Sequence, residues 1–101
     1  MSEYLTKGRF SVPVDKAEVA ADWRGRGYSC HDFHDPPGQE WRDFVHACQE
    51  LVTVVAGRLE LEVAGDTVLA EPGDEVFIPR RAVHTVRNVH DGDSHWLFGY
   101  D

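Results

Sequence analysis

From Arg58 to Val63 the chain reads RLELEV, with Leu59, Leu61 and Val63 on one face of an extended segment and Arg58, Glu60 and Glu62 on the other. A period of two with a single apolar face predicts a strand buried on one side. Short segments of the same kind follow: TVLA from Thr67, EVFIP from Glu75, VHTVRNV from Val83 and SHWLFGY from Ser94, all rich in β-branched or aromatic residues. Turn signals separate them, among them AGD from Ala64, EPGD from Glu71, PRRA from Pro79 and HDGD from His90. Upstream, YSCHDFHD and WRDFVH add two more strands, divided by Pro36, Pro37 and Gly38. Seven or more short strands with tight turns predict an all-β sandwich or barrel.

One stretch departs from this period. In VDKAEVAADWRG, Asp15 can cap a helix, Glu18 stands three residues later as in a capping box, and Gly25 can end it. A single short helix near residues 15 to 24 follows. No repeat, low-complexity segment or linker interrupts the 101 residues, so residues 1–101 are expected to form one domain.

Composition narrows the partners. A net charge of −8 and a pI of about 5.1 argue against a surface that neutralises phosphates, so neither nucleic acid nor an anionic membrane is an expected partner. The opening MSEYLTKGRF has no apolar stretch of signal-peptide length, and no later run approaches the length of a membrane span, which makes a soluble cytoplasmic protein the expectation. Cys30 and Cys48 lack the doubled spacing of a zinc ribbon or a redox pair and read as small, partly buried apolar side chains.

Candidate chemistry gathers in two segments. If RDFVH and ELVTVV form a hairpin around Ala47, Cys48 and Gln49, Phe44 and His46 share a face and Glu50 opens the second strand on that face. In VFIPRRAVHTVRN, His84, Val86 and Asn88 share a face. Two neutral imidazoles and a carboxylate converging inside a barrel would hold a divalent cation and leave further positions open to water or substrate. From spacing alone a lone histidine is more often structural, and both readings stand at this point.

The two segments together resemble the motifs of the cupin superfamily. The first motif runs Gly, five residues, His-x-His, three or four residues, Glu, six residues, Gly; Gly38, Phe44, His46, Glu50 and Gly57 keep every spacing, so motif 1 spans 38–57. The second runs Gly, five residues, Pro-x-Gly, two residues, His, three residues, Asn; Gly73, Pro79, Arg81, His84 and Asn88 keep that spacing, so motif 2 spans 73–88. Phe44 stands where the family has its first metal histidine, and Arg81 where it has a turn glycine. The resemblance therefore implies a small cupin-type β-barrel, a jelly-roll-like double sheet with one short N-terminal helix. It further implies a divalent metal (iron, zinc, manganese or nickel) on His46, Glu50 and His84, with a small organic molecule in the barrel. Phe44, Arg81 and Val86 are candidate pocket residues on this reading.

Resemblance to other small cupins also implies a homodimer, with N-terminal strands or the outer faces of Leu51, Thr53 and Val55 as contacts. Three functions remain open: a metal-dependent cupin acting on or binding a small molecule, with dioxygenase-type chemistry as one form; a non-catalytic sensor or binding module without metal; and a sugar isomerase or epimerase, for which no acid and base pair is evident beyond the trio. Trp41, Trp96, Phe98 and Tyr100 read as core or subunit-interface aromatics rather than a ligand cage. His31 and His34 have no paired spacing but lie where they can reach the cavity mouth. Arg81, like Arg80, could attract an anionic substrate group, though exposed turn arginines are more often solvated.

Overall fold

The computed structural model describes residues 2–101. Nine strands and one helix follow in chain order: β1 (Leu5–Thr6), α1 (Lys16–Gly25), β2 (His31–Asp35), β3 (Glu40–Phe44), β4 (Glu50–Ala56), β5 (Leu59–Val63), β6 (Asp66–Ala70), β7 (Glu75–Ile78), β8 (His84–Asn88) and β9 (Ser94–Tyr100). They pair antiparallel into a five-stranded sheet, ordered β1-β7-β4-β9-β2, and a four-stranded sheet, ordered β3-β8-β5-β6. The two sheets do not close through hydrogen bonds into a continuous barrel; they face each other in a jelly-roll-like double sheet, as the strand count and turn spacing predict.

The core lies between the sheets. Leu59, Leu61 and Val63 of β5 point inward, meeting Val52 and Val54 of β4, Val76 and Ile78 of β7, and Val86 of β8. Outside, Glu60 and Glu62 stand beside Arg87 of β8, whose guanidinium lies 3.0 Å from Glu60 and 2.9 Å from Glu40. Thus β5 behaves as the alternation demands.

Strand β4 is different, because Leu51, Val52, Thr53 and Val54 are all buried in succession. Its second face is covered by α1: Leu51 packs with Val19 and Trp23 of the helix and with Leu97 and Phe10. The outer face of Leu51 and Thr53 is thus not available as a subunit contact, contrary to the expectation from sequence. A strand buried on both faces needs a nearly continuous apolar run, and ELVTVV supplies one.

The helix begins where the capping signal places it. Asp15 is the N-cap, its carboxylate accepting from the Ala17 amide at 2.9 Å. What fixes α1 to the sheet is a buried polar tie. Glu75 of β7 accepts from the Trp23 indole at 2.9 Å and from the Arg26 guanidinium just past the helix end, and that guanidinium also holds Asp22.

One expected pairing is absent. RDFVH and ELVTVV do not form a hairpin: β3 pairs with β8, β4 pairs with β7 and β9, and Val45 to Gln49 cross from one sheet to the other. Proximity along the chain suggests a hairpin, but the inward apolar face of β4 must be completed by β7 and β9, and β3 instead completes the edge of the opposite sheet.

Gly99 of β9 allows the segment after the helix to dock. A Cβ there would stand 1.8 Å from the Ser29 carbonyl oxygen and 3.0 Å from the Trp23 ring. Ser29 meanwhile bonds the Tyr100 backbone twice, its amide donating to the Tyr100 carbonyl at 2.9 Å and its side-chain hydroxyl accepting from the Tyr100 amide at 3.0 Å. Gly99→Ala should therefore cost about 1–3 kcal/mol through overpacking against backbone, read as a lowered thermal midpoint. Gly25→Ala, with no atom within 4 Å of the new Cβ, should cost nothing measurable.

Candidate metal centre

Glu50, His84 and His46 reach one point from three elements. Glu50 opens β4 and is paired on both sides, with Ile78 of β7 and Tyr100 of β9. His84 opens β8 between Val63 of β5 and Phe44 of β3. Their backbones are therefore fixed from both edges. His46 lies on the crossing segment, which is held from the β7–β8 turn: the Arg81 amide donates to the His46 carbonyl at 2.8 Å and the Arg80 guanidinium to the Ala47 carbonyl at 3.0 Å.

Arg81 itself sits at φ 65°, in the left-handed region that favours glycine. This explains the glycine that the cupin motif has at this position. Its side chain is exposed and does not line the cavity. The residue acts through its backbone, which tethers His46.

The cavity measures about 230 Å³ and is bounded at this end by His46, Glu50 and His84. Tyr100, Phe98 and Trp96, alternate residues of β9, form one wall, with Phe33 of β2, Trp41 and Phe44 of β3, and Val86 of β8 around the rest. Trp41 and Phe44 are three residues apart, and a regular strand would aim them at opposite faces. A bulge between them, with Asp43 at φ 54° and its amide bonded to the Thr85 hydroxyl at 3.1 Å, brings both inward.

The aromatic residues depart from the expectation that they serve only as core or interface. Trp96 does belong to the core, with Trp41 and Phe98 packed against it, but Trp41, Trp96, Phe98 and Tyr100 also line the cavity. No aliphatic side chain larger than Val86 faces them there, so their rings remain a wall instead of filling the space.

Asp35 escaped notice in the sequence. It is buried, and its carboxylate accepts from the Trp41 indole at 3.2 Å and the Trp96 indole at 3.0 Å, fixing both rings against the cavity. An HDFHD segment, polar at every position but Phe33, resembles a solvated edge strand, so the sequence carries no signal that its last carboxylate is internal. Asn88 is a second hub: its amide donates to the carbonyls of Asp35, Pro36 and Gly92, and its oxygen accepts from Ser94.

The polar trio has the chemistry of a cation site. The His84 Nε2 lies 3.4 Å and the His46 Nε2 3.6 Å from the same Glu50 oxygen, Oε1. That oxygen is buried without a hydrogen-bond partner. Donors about 2.1 Å from a shared tetrahedral cation stand about 3.4 Å from one another, so the spacing suits ligands on either side of an ion better than it suits a hydrogen bond. The His84 Nδ1 lies 3.0 Å from the Ala82 carbonyl, which accepts a hydrogen bond from its N–H; in the neutral imidazole Nε2 then carries a free lone pair.

Electrostatics agree with the geometry. Burial pushes the His84 imidazole down, but the nearby Glu50 carboxylate and the Ala82 carbonyl outweigh this and raise its pKa. Positive charge is therefore favoured at this point. Burial first, then the charge of Glu50, pushes Tyr100 up to about 12, so its hydroxyl keeps its proton at neutral pH.

A second group, Asp32, His34 and His95, lies on the opposite face of β2 and β9. His34 stacks on His95 at 4.1 Å, which turns it away from the cavity mouth that it was expected to reach. His31, on the other face, packs against Phe98 at 5.4 Å and is not part of the lining. Asp32 is already paired with Lys16 at 3.1 Å, and two of the three residues are exposed, whereas Glu50 and His84 are buried.

With a jelly-roll double sheet and an inward His-Glu-His trio established, the class of protein is defined. Residues 31–100 match the family model of the cupin domain, and the chain belongs to the cupin family. No curated protein matches the sequence. Among solved structures, the fold is similar to the cupin domain of Cnp3 from Schizosaccharomyces pombe, at 14% identity and TM-score 0.68, over 72% of this chain and 54% of that one. It is similar to a cupin 2 domain-containing protein from Halorhodospira halophila at 23% identity and TM-score 0.68, over 73% and 52% of the two chains. A salicylate 1,2-dioxygenase variant from Pseudoaminobacter salicylatoxidans matches at 16% identity and TM-score 0.66, over 73% and 21%. At these identities the likeness shows the fold, and the matched region is about half or less of each neighbour's length. Among the described residues, no helix is long and apolar enough to cross a membrane.

Asp35→Asn keeps one acceptor for the two indoles and loses the other. The variant should be destabilised by about 1–3 kcal/mol, the cost of leaving a buried donor unpaired. Thermal melting, with tryptophan emission as the readout, checks this: the emission spectrum of the native state should shift as the rings lose their fixed environment.

Proposed function

We propose that this cupin binds one divalent metal ion through His46, Glu50 and His84 and holds a small organic molecule beside it in the cavity. One observation carries the reading: both imidazole Nε2 atoms converge on a single buried, unpartnered carboxylate oxygen. A metal-free cavity has little use for that carboxylate, because desolvating it without compensation is costly. Two histidines and a carboxylate also form the donor set of non-haem iron oxygenases, which makes iron-dependent oxygen chemistry the enzymatic form of this reading.

When bound, such an ion acts as a Lewis acid toward an oxygen of the neighbouring molecule. The chain's own residues set the conditions. The Ala82 carbonyl orients His84, and the backbone of Arg81 holds the segment carrying His46. Phe44, with its ring 6.0 Å from that of His46 and 6.4 Å from that of His84, places an apolar surface where the family motif has a ligand. The protein therefore contributes three donors and leaves the remaining positions to the small molecule or water. Tyr100, with its ring 5.1 Å from that of His46, offers a neutral hydroxyl at the same end.

Elemental analysis of untagged protein should find close to one metal ion per chain, with affinity lowered at least tenfold in His46→Ala and in His84→Ala. Circular dichroism of the variants separates loss of the site from loss of the fold. Native protein that takes up no ferrous iron, manganese, nickel or zinc on titration would overturn the reading. Since the His84 imidazole must be neutral to donate, and, against the effect of burial, the Glu50 carboxylate raises its pKa, the apparent affinity should fall as pH drops through a value above the ordinary histidine range. Metal titrations followed across pH 5 to 8 read that slope directly.

A further inference from the structure

The walls of the cavity restrict what can sit beside the metal. We propose that the cavity selects a small, flat, apolar molecule with a single oxygen or nitrogen head group and no carboxylate, phosphate, sulfate or ammonium on its body. The inference rests on the proposed metal site for the fate of the head group, and on the walls for the rest.

Six rings bound the cavity: Phe33, Trp41, Phe44, Trp96, Phe98 and Tyr100. Neighbouring rings stand 5.5 to 6.1 Å apart and are steeply inclined to one another, with Phe33 edge-on to both Trp41, at 71°, and Trp96, at 69°. Faces and edges so arranged suit the packing of another planar apolar group. The two indole N–H groups would be the natural donors along these walls, but both are bound to Asp35. Away from Glu50, His46, His84 and the Tyr100 hydroxyl, a ligand therefore meets only carbon and π surface.

Charge disfavours an anionic group on the part of the ligand away from the metal. No lysine or arginine is among the residues lining the cavity. The nearest candidates are engaged elsewhere or turned outward: Arg80 holds the Ala47 carbonyl and Asp101, Arg87 holds Glu40 and Glu60 on the outer face, and the Arg81 side chain is exposed. An anionic group on the body of the ligand would be buried without a partner, at a cost of several kcal/mol. An organic cation would find aromatic faces, but the Asp35 carboxylate behind two of them is held by both indoles and does not line the cavity, so the cation would lack a direct partner and would face the divalent ion. Size sets a further limit, because 230 Å³ lies below the roughly 300–1,000 Å³ of pockets for drug-sized ligands and suits one substituted ring.

Three phenols of matched shape test this: 4-methylphenol, 4-hydroxybenzoate and tyramine, which carry the same head and a neutral, anionic or cationic body. Each is titrated calorimetrically into full-length protein, zinc-loaded and chelator-treated, with metal content measured on the same samples. 4-Methylphenol should bind at least tenfold more tightly than either charged analogue. Equal or tighter binding of either charged phenol by the native protein would overturn the proposal, as would the failure of all three to bind. If metal binds stoichiometrically but the phenols are not discriminated, this inference fails and the metal site stands. If 4-methylphenol is preferred by protein that takes up no metal, the metal reading fails and the inference about the walls stands.

Discussion

A carboxylate buried between two sheets is the constraint around which this protein is arranged. Glu50 opens the central strand of the five-stranded sheet, in register with Ile78 on one side and Tyr100 on the other, and its side chain is buried. Its side chain must be compensated from the opposite sheet and from the segment that crosses between them. His84 and His46 approach it from those two directions. Neither makes a short hydrogen bond to Oε1, and the distances left are those of ligands around an ion.

Positioning the histidines requires other parts of the fold. The β7–β8 turn accepts a left-handed arginine so that its amide can hold the His46 carbonyl, and the β3 bulge turns Phe44 toward the trio beside Trp41. Asp35 fixes two indoles at the other end of the cavity, which separates a polar end from an aromatic body. Helix α1, bound through Trp23 and Arg26 to Glu75, covers the outer face of β4, β7 and β9, the strands that present Glu50 and the ring wall. Packing on that face thus stiffens the site from behind without contributing a ligand.

A second buried carboxylate makes a useful contrast. Asp35 is fully satisfied by indole donors and shapes the cavity, whereas the Oε1 of Glu50 is left unpartnered. The same chemical group is structural in one place and points to a ligand in the other. Only the count of donors around each separates them.

The local order of the chain was legible in its sequence. Alternation in RLELEV, the capped helix at Asp15 and the Gly and Pro turns follow from backbone and side-chain preferences that act over a few residues, and the spacings of the two cupin motifs mark His46, Glu50 and His84 before any contact is known. What the sequence leaves open is which strands meet. It suggests a hairpin between RDFVH and ELVTVV, but those strands lie in opposite sheets, because pairing is decided by the burial of whole faces. Asp35 looks solvated until β2 is placed beside β9, and the aromatic residues look like filling until the space between the sheets is seen to be incompletely closed. Residue type and spacing are properties of the chain; whether a carboxylate finds two indoles, two imidazoles or water depends on partners distant in sequence, and only the tertiary structure brings these together.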